Sequence, residues 1–205
     1  MSCYVALDGP DGCGKSSQAV ALCAFLRARG CVAMHVREPG STPVGELLRQ
    51  LLLSPQTGEL RPITEALLFS AARAELVSNV IAPALARGEW VVAERCYLST
   101  VVYQGLASVP GLSVDWLFDL TRAVHGAALP DLLCVLDVPA AVSQQRRAAR
   151  AHDRIEARGA EYHERVRQGY LQAAALEPRC RVFDAARSFA EVQAELQRAL
   201  VRWLP

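Results

Sequence analysis

Residues 3–18 constrain this chain more than any other stretch. Cys3–Leu7 is a short apolar run, Gly9-Pro10-Asp11-Gly12-Cys13-Gly14-Lys15-Ser16 follows it, and a segment of helical period opens at Lys15. The loop satisfies G-x-x-x-x-G-K-[ST], and a strand before it with a helix after it is the setting that separates a phosphate-binding loop from a chance match. Glycines let successive backbone N–H groups curl around a phosphate, and the helix N-terminus adds positive potential. Gly9, Asp11, Gly12, Cys13, Gly14, Lys15, Ser16 and Ser17 are therefore the expected nucleotide-phosphate residues. Lys15 is expected to bridge the β- and γ-phosphates, and the Ser16 hydroxyl to ligate Mg²⁺. The motif implies a nucleotide without saying which reaction.

The rest of the chain repeats the strand-then-helix pattern. Cys3–Leu7, Cys31–Val36, Trp90–Ala93, Leu132–Leu136 and Arg181–Phe183 read as short buried strands. Helices are expected over Lys15–Arg29, Val44–Leu53, Ile63–Arg87, Val114–Val124, Ala140–Arg150, Ala160–Leu176 and Phe189–Trp203. Arg29-Gly30 and Arg87-Gly88 read as cationic last turns closed by glycine. Apolar strands alternating with helices imply an α/β fold: a five-stranded parallel sheet with helices on both faces. Ligands in such sheets bind beyond the carboxyl ends of the strands. The chemically rich segments Asp8–Ser16, Arg37–Gly40, Glu94-Arg95 and Asp137 all follow predicted strands.

At 205 residues, one P-loop domain spanning 1–205 is expected, with a small helical lid at about 143–156. A net charge of +1 excludes a bulk electrostatic case for nucleic acid or a membrane surface, so neither is expected as a partner. Seven cysteines without a C-x-x-C pair favour free buried thiols over disulfides or zinc. Met-Ser-Cys-Tyr-Val-Ala-Leu-Asp reaches an acidic residue too early for a signal peptide, and no apolar run approaches the roughly 20 residues a bilayer requires, so a cytoplasmic location is expected.

Further motifs run in a fixed order: Arg37-Glu38-Pro39-Gly40-Ser41-Thr42-Pro43, Leu67-Leu68-Phe69-Ser70-Ala71-Ala72-Arg73-Ala74-Glu75, Tyr103-Gln104-Gly105, Leu136-Asp137-Val138-Pro139, and Asp153-Arg154-Ile155-Glu156 leading to Arg165–Leu171. Together with the loop at Gly9–Ser16, this order resembles the thymidylate kinase family nearly end to end. The resemblance implies transfer of the ATP γ-phosphate to dTMP, giving dTDP and ADP for dTTP synthesis, with Mg²⁺ as cofactor and a homodimeric assembly.

Phe69 and Arg73 lie four apart and share a helix face, an aromatic plane beside a guanidinium fork that suits a pyrimidine. The resemblance places thymine on Phe69 with its O4 on Arg73. It also implies that Asp11 accepts from the sugar 3′-OH, that Ser99, Thr100 and Gln104 meet the pyrimidine edge, and that Tyr103 excludes a ribose 2′-OH. Arg95 and Arg37 are expected to clamp the acceptor phosphate, and Glu94 to hold Mg²⁺ through water. Arg146, Arg150 and Arg154 fall at i, i+4 and i+8, a stripe suited to a lid over ATP. With no arginine at Gly12 or Cys13, the resemblance puts the catalytic arginine in the lid, at Arg150 or Arg154, alongside Lys15 and Arg95.

A deoxynucleoside kinase is the nearest rival. Its acceptor, a 5′-hydroxyl, needs a carboxylate base, and Glu38 and Glu94 both follow strands. Thymidylate kinases usually carry Asp, Arg and an aromatic where this chain has Glu94, Arg95 and Cys96. That departure also keeps open a catalytically silent nucleotide-binding relative.

Overall fold

The computed structural model describes residues 2–147 and 153–204. Five strands, β1 (Tyr4–Asp8), β2 (Ala33–Arg37), β3 (Trp90–Glu94), β4 (Leu132–Asp137) and β5 (Cys180–Asp184), form one parallel sheet in the order β2-β3-β1-β4-β5. The α/β expectation holds. Alternate residues of β1 enter opposite cores: Tyr4 and Ala6 join one cluster, Val5 and Leu7 the other. A strand buried on both faces reads as a continuous apolar run for this reason.

On one face lie α1 (Lys15–Arg27) and α9 (Phe189–Leu200), whose Leu22, Leu26, Val192 and Leu196 pack with Trp90, Val92 and Leu136. The other face carries α3 (Pro62–Leu76), α6 (Val114–His125) and α8 (Ala160–Leu176), packed on Tyr4, Val91 and Val135. Complete burial of a leucine such as Leu22 contributes roughly 1.5–3 kcal/mol. Shorter pieces complete the molecule: α2 (Pro43–Leu53), α4 (Ala82–Ala86), α5 (Tyr97–Thr100) and α7 (Ala140–Arg147).

Local chemistry sets most boundaries. Thr42 caps α2 by accepting from Gly45 N at 2.9 Å, with proline at the first helical position. Ser188 and Glu191 form a capping box at α9. Both glycine-closed turns form: Cys31 N donates to Leu26 O at 3.2 Å, and Glu89 N to Ala84 O at 3.0 Å.

Two helix expectations change. The Ile63–Arg87 helix is interrupted by a π-turn at Val77–Ile81 before α4. Pro83 cannot donate to Asn79 O, so the hydrogen-bond register slips there. The helix from Ala140 is described only to Arg147, and Arg154 lies in a turn, not on a helical stripe. There Asp153 Oδ1 accepts from Ile155 N at 2.8 Å and Glu156 N at 2.9 Å, which folds the backbone back. All seven cysteines are free. Among the described residues, no helix is long and apolar enough to cross a membrane.

Candidate active site

The carboxyl ends of the strands open into a cavity of about 580 Å³. Its phosphate side is the loop after β1. Gly9 has φ +138° there, and a Cβ on it would lie 2.6 Å from Leu136 O, so no other residue fits without displacing the sheet. The helix that follows has neither a side-chain cap at Gly14 nor an acidic first turn. Its leading N–H groups are thus left for an anion. Lys15 Nζ is buried in the loop, donating to Gly9 O at 3.0 Å and Pro10 O at 2.8 Å.

Asp8 braces the opposite wall. Its Oδ1 accepts from Gly9 N, Ser99 Oγ and Tyr170 Oη, and its Oδ2 from Cys96 N and Ser99 N. This ties the phosphate loop to the start of α5. Between them Arg95 adopts φ +70°, uncommon for a branched-off long side chain and found where surroundings over-determine the backbone. Its guanidinium pairs with Asp11 and donates to Ser99 Oγ at 3.1 Å. Burial is the largest single influence on Arg95 and opposes its charge, but Asp11, Tyr103, Tyr170 and Asp8 together outweigh it and the pKa rises. Tyr103 Oη donates to Asp11 Oδ2 at 3.0 Å, and burial followed by that carboxylate pushes the phenol's pKa up.

Arg37 and Arg49 reach the same cavity from β2 and α2. Arg37 pairs with Glu46 at 3.0 Å, and Arg49 donates to Pro39 O at 2.9 Å. Burial lowers the Arg49 pKa first, then Arg37, with Arg95 adding to it. Three cations that repel one another at a cavity wall make a place for a polyanion. Sequence reading missed Arg49, whose one signal is that it is the lone cation of the leucine-rich α2.

Phe69, Thr100 and Gln104 also line the cavity, with Tyr103 reaching from the same elements to Asp11 of the phosphate loop. Arg73 sits behind this wall, 3% exposed, its Nε donating to Glu38 Oε2 at 2.5 Å and its Nη2 to Thr100 Oγ1 at 3.2 Å. Burial raises the Glu38 pKa, with Arg73 opposing it.

Lid residues divide. Ser143 Oγ donates to Asp11 O at 2.5 Å, docking α7 onto the phosphate loop, and Arg146 lines the cavity. Arg154 is placed elsewhere than expected: its Nη2 lies 2.7 Å from Glu65 and its Nε donates to Leu52 O at 3.0 Å. A buried carboxylate from α3 takes that guanidinium, while its neighbours Asp153, Ile155 and Glu156 line the cavity. Arg150, the other expected lid arginine, lies outside the described residues.

The thymidylate kinase family profile matches residues 7–196. A thymidylate kinase of Symbiobacterium thermophilum is 43% identical over 206 residues, covering 100% of this chain and 95% of its own. Thymidylate kinases of Pseudomonas syringae pv. tomato (44% identical, 96% of this chain and 94% of theirs) and Deinococcus radiodurans (43%, 96% and 95%) are similar over the same extent. The chain belongs to the thymidylate kinase family.

Membership makes it an ATP-dependent nucleoside monophosphate kinase and accounts for a cavity with two ends. The departures from the family's usual Asp-Arg-aromatic run are absorbed locally. Glu94 Oε1 accepts from Ser16 Oγ at 2.6 Å, so the longer carboxylate still reaches the loop. Cys96 fills its site with Tyr4 Oη at 3.5 Å and His125 Nε2 at 3.8 Å. Among the described residues no cluster of three or more His, Cys, Asp or Glu side chains forms a metal cage. A hydroxyl and a carboxylate beside the phosphate loop are nevertheless the hard oxygen donors that suit Mg²⁺ held mainly by substrate phosphates.

Proposed function

We propose that this thymidylate kinase family member phosphorylates dTMP, with the acceptor phosphate facing the ATP γ-phosphate across the Arg37–Arg49–Arg95 cluster. The observation that carries the reading is that one cavity is lined both by Lys15 and Ser16 of the phosphate loop and by Phe69, Thr100 and Gln104. At pH 7 a nucleoside monophosphate is largely a dianion, its second pKa being about 6. Its oxygen attacks the γ-phosphorus in line without a general base, and the residues act by positioning and charge neutralisation.

In this reading Gly9, Gly12, Gly14 and Lys15 hold the ATP phosphates, with Asp11, Cys13 and Ser17 shaping the loop. Lys15 leaves the loop carbonyls for the β- and γ-phosphates. Ser16 and Glu94, through water, would hold Mg²⁺, which supplies charge neutralisation on the phosphates. Arg95 and Arg37 grip the acceptor phosphate, joined by Arg49. Thymine stacks on Phe69. Arg73, whose Nε and Nη2 donate to Glu38 and Thr100, lies behind Thr100 and takes O4 in this reading. Ser99, Thr100 and Gln104 take the pyrimidine edge, while Asp11 and Tyr103 face the sugar. Arg146 closes over ATP from α7. The enzyme works as a cytoplasmic homodimer, with no nucleic acid or membrane partner.

The nucleoside-kinase rival requires a free carboxylate near the 5′-hydroxyl. Glu38 is held by Arg73 instead. An acceptor panel tests the reading: with MgATP, dTMP is expected to release ADP and form dTDP, while thymidine stays unconsumed. Turnover of thymidine without dTMP turnover reverses the assignment. Tight ATP binding with neither acceptor consumed favours the silent relative.

A further inference from the structure

Glu65 lies at the end of the first turn of α3 and is 1% exposed. Its two oxygens face different parts of the molecule. Oε1 takes the guanidiniums of Arg154 at 2.7 Å, from the end of the lid segment, and Arg158 at 3.1 Å, from just beyond it. Oε2 accepts from Gln104 Nε2 at 2.8 Å.

Gln104 lines the acceptor end of the cavity, and its Oε1 is buried with no hydrogen-bond partner. An orphaned buried carbonyl is costly, and such an atom at a ligand wall marks a place reserved for a donor. Amide oxygen and nitrogen have nearly the same shape, so their assignment follows from the partners. A carboxylate only accepts. It therefore fixes the Gln104 amide with nitrogen toward Glu65 and oxygen free.

We infer that Glu65 is a positioning residue for base selectivity: by holding Gln104 in one amide orientation, it makes the pocket accept the N3–H of a keto pyrimidine and refuse a cytosine. Cytosine carries an unprotonated N3, which would set two acceptors against each other. The inference rests on the dTMP reading above. Arg154 gains a role as well, since its charge keeps Glu65 Oε1 occupied and directs Oε2 to Gln104.

The test is the ratio of kcat/KM for dTMP to that for dCMP in Glu65→Gln. A glutamine at 65 can donate as well as accept, so the Gln104 amide becomes free to invert. The ratio is expected to fall about tenfold or more, since a site built to pair one polar group discriminates through the unpaired alternative. The dTMP-to-dUMP ratio should stay constant, because both bases present N3–H. Both acceptors are assayed on one sample, so the ratios do not depend on how much enzyme is folded. If E65Q fails to fold, Glu65→Asp retains the counter-charge for both arginines while drawing the carboxylate back from Gln104, and it should lower the same ratio.

A second arm isolates the route. In Gln104→Leu, adding E65Q (or E65D) should change the dTMP-to-dCMP ratio no further. An unchanged ratio in the Glu65 variant, or a further fall on the Gln104→Leu background, overturns the inference. Wild-type enzyme that leaves dTMP unphosphorylated overturns the functional reading itself, which is a separate result.

Discussion

Arg73 and Glu38 illustrate how a residue can serve packing and recognition together. Their side chains are 3% and 4% exposed and lie 2.5 Å apart. Removing one partner of such a pair strands the other's charge, at a cost of about 3–5 kcal/mol. Arg73→Ala is therefore expected to lower the melting temperature and to raise the KM for dTMP far more than that for ATP. Equal effects on the two KM values would place Arg73 outside acceptor binding. His125 supplies a second residue-scale prediction. Burial first, then the charge of Arg73, depress its pKa to about 3 from 6.5, with a hydrogen bond at Thr121 O opposing. The unfolded chain thus takes up a proton that the folded one refuses. No stability is lost above pH 6.5, and loss grows as pH falls from 6.5 toward 3, by up to about 1.4 kcal/mol per pH unit. Urea titrations of wild type and His125→Gln from pH 7.5 to 4.5 should show the shallower decline in the variant. Parallel curves would mean that His125 does not carry the effect.

Among elements, α5 and the π-turn after it (Val101–Leu106) decide the site and are the part sequence reading failed to see. Tyr97-Leu98-Ser99-Thr100-Val101-Val102-Tyr103 is dense in β-branched and aromatic residues, which individually favour strands over helices. Its helical start depends on Asp8, 88 residues away for Cys96 N and 91 for Ser99 N, at 3.1 Å each. No local pattern can reveal a cap contributed by another strand. The five strands, by contrast, were legible to within about two residues: β1, β3 and β4 are buried, almost uninterrupted apolar runs, and the partly exposed edge strands β2 and β5 are still marked by short apolar stretches between helices. The phosphate loop was legible for a similar reason, since glycine spacing there is dictated by backbone geometry. Cation positions were half legible: Arg37 and Arg95 end strands, whereas Arg49 and the Glu65 anchor of Arg154 depend on how α2 and α3 pack. Asp8→Asn tests the long-range cap. Its amide replaces one acceptor oxygen by a donor against two N–H groups, or against Ser99 Oγ and Tyr170 Oη. Turnover should fall at least about tenfold, with α5 amides exchanging hydrogen faster than those of β1. Unchanged exchange in α5 would show that it folds without Asp8.

At the scale of the whole molecule, the parallel sheet gathers the cations lining the cavity at the carboxyl ends of its strands, and a separate apolar face is left uncovered. On α2, Leu47 and Leu51 are one turn apart, and on α3 Ile63 and Leu67 are as well; all four are exposed. These two helices pack together, and α3 also carries Phe69, Arg73 and Glu65 on its inner side. An apolar exterior on the helix that bears the acceptor pocket fits the proposed homodimer, because pairing there would stiffen the pocket wall while removing apolar surface from water. Leu67→Glu places a charge on that face without touching the cavity. Light scattering should give twice the monomer mass for wild type and the monomer mass for the variant. If α3 needs its partner to hold the pocket, the variant's KM for dTMP should rise while its ATP binding stays near wild type. A variant that remains dimeric would move the interface away from α3, and a wild-type monomer would remove the dimer from the proposal.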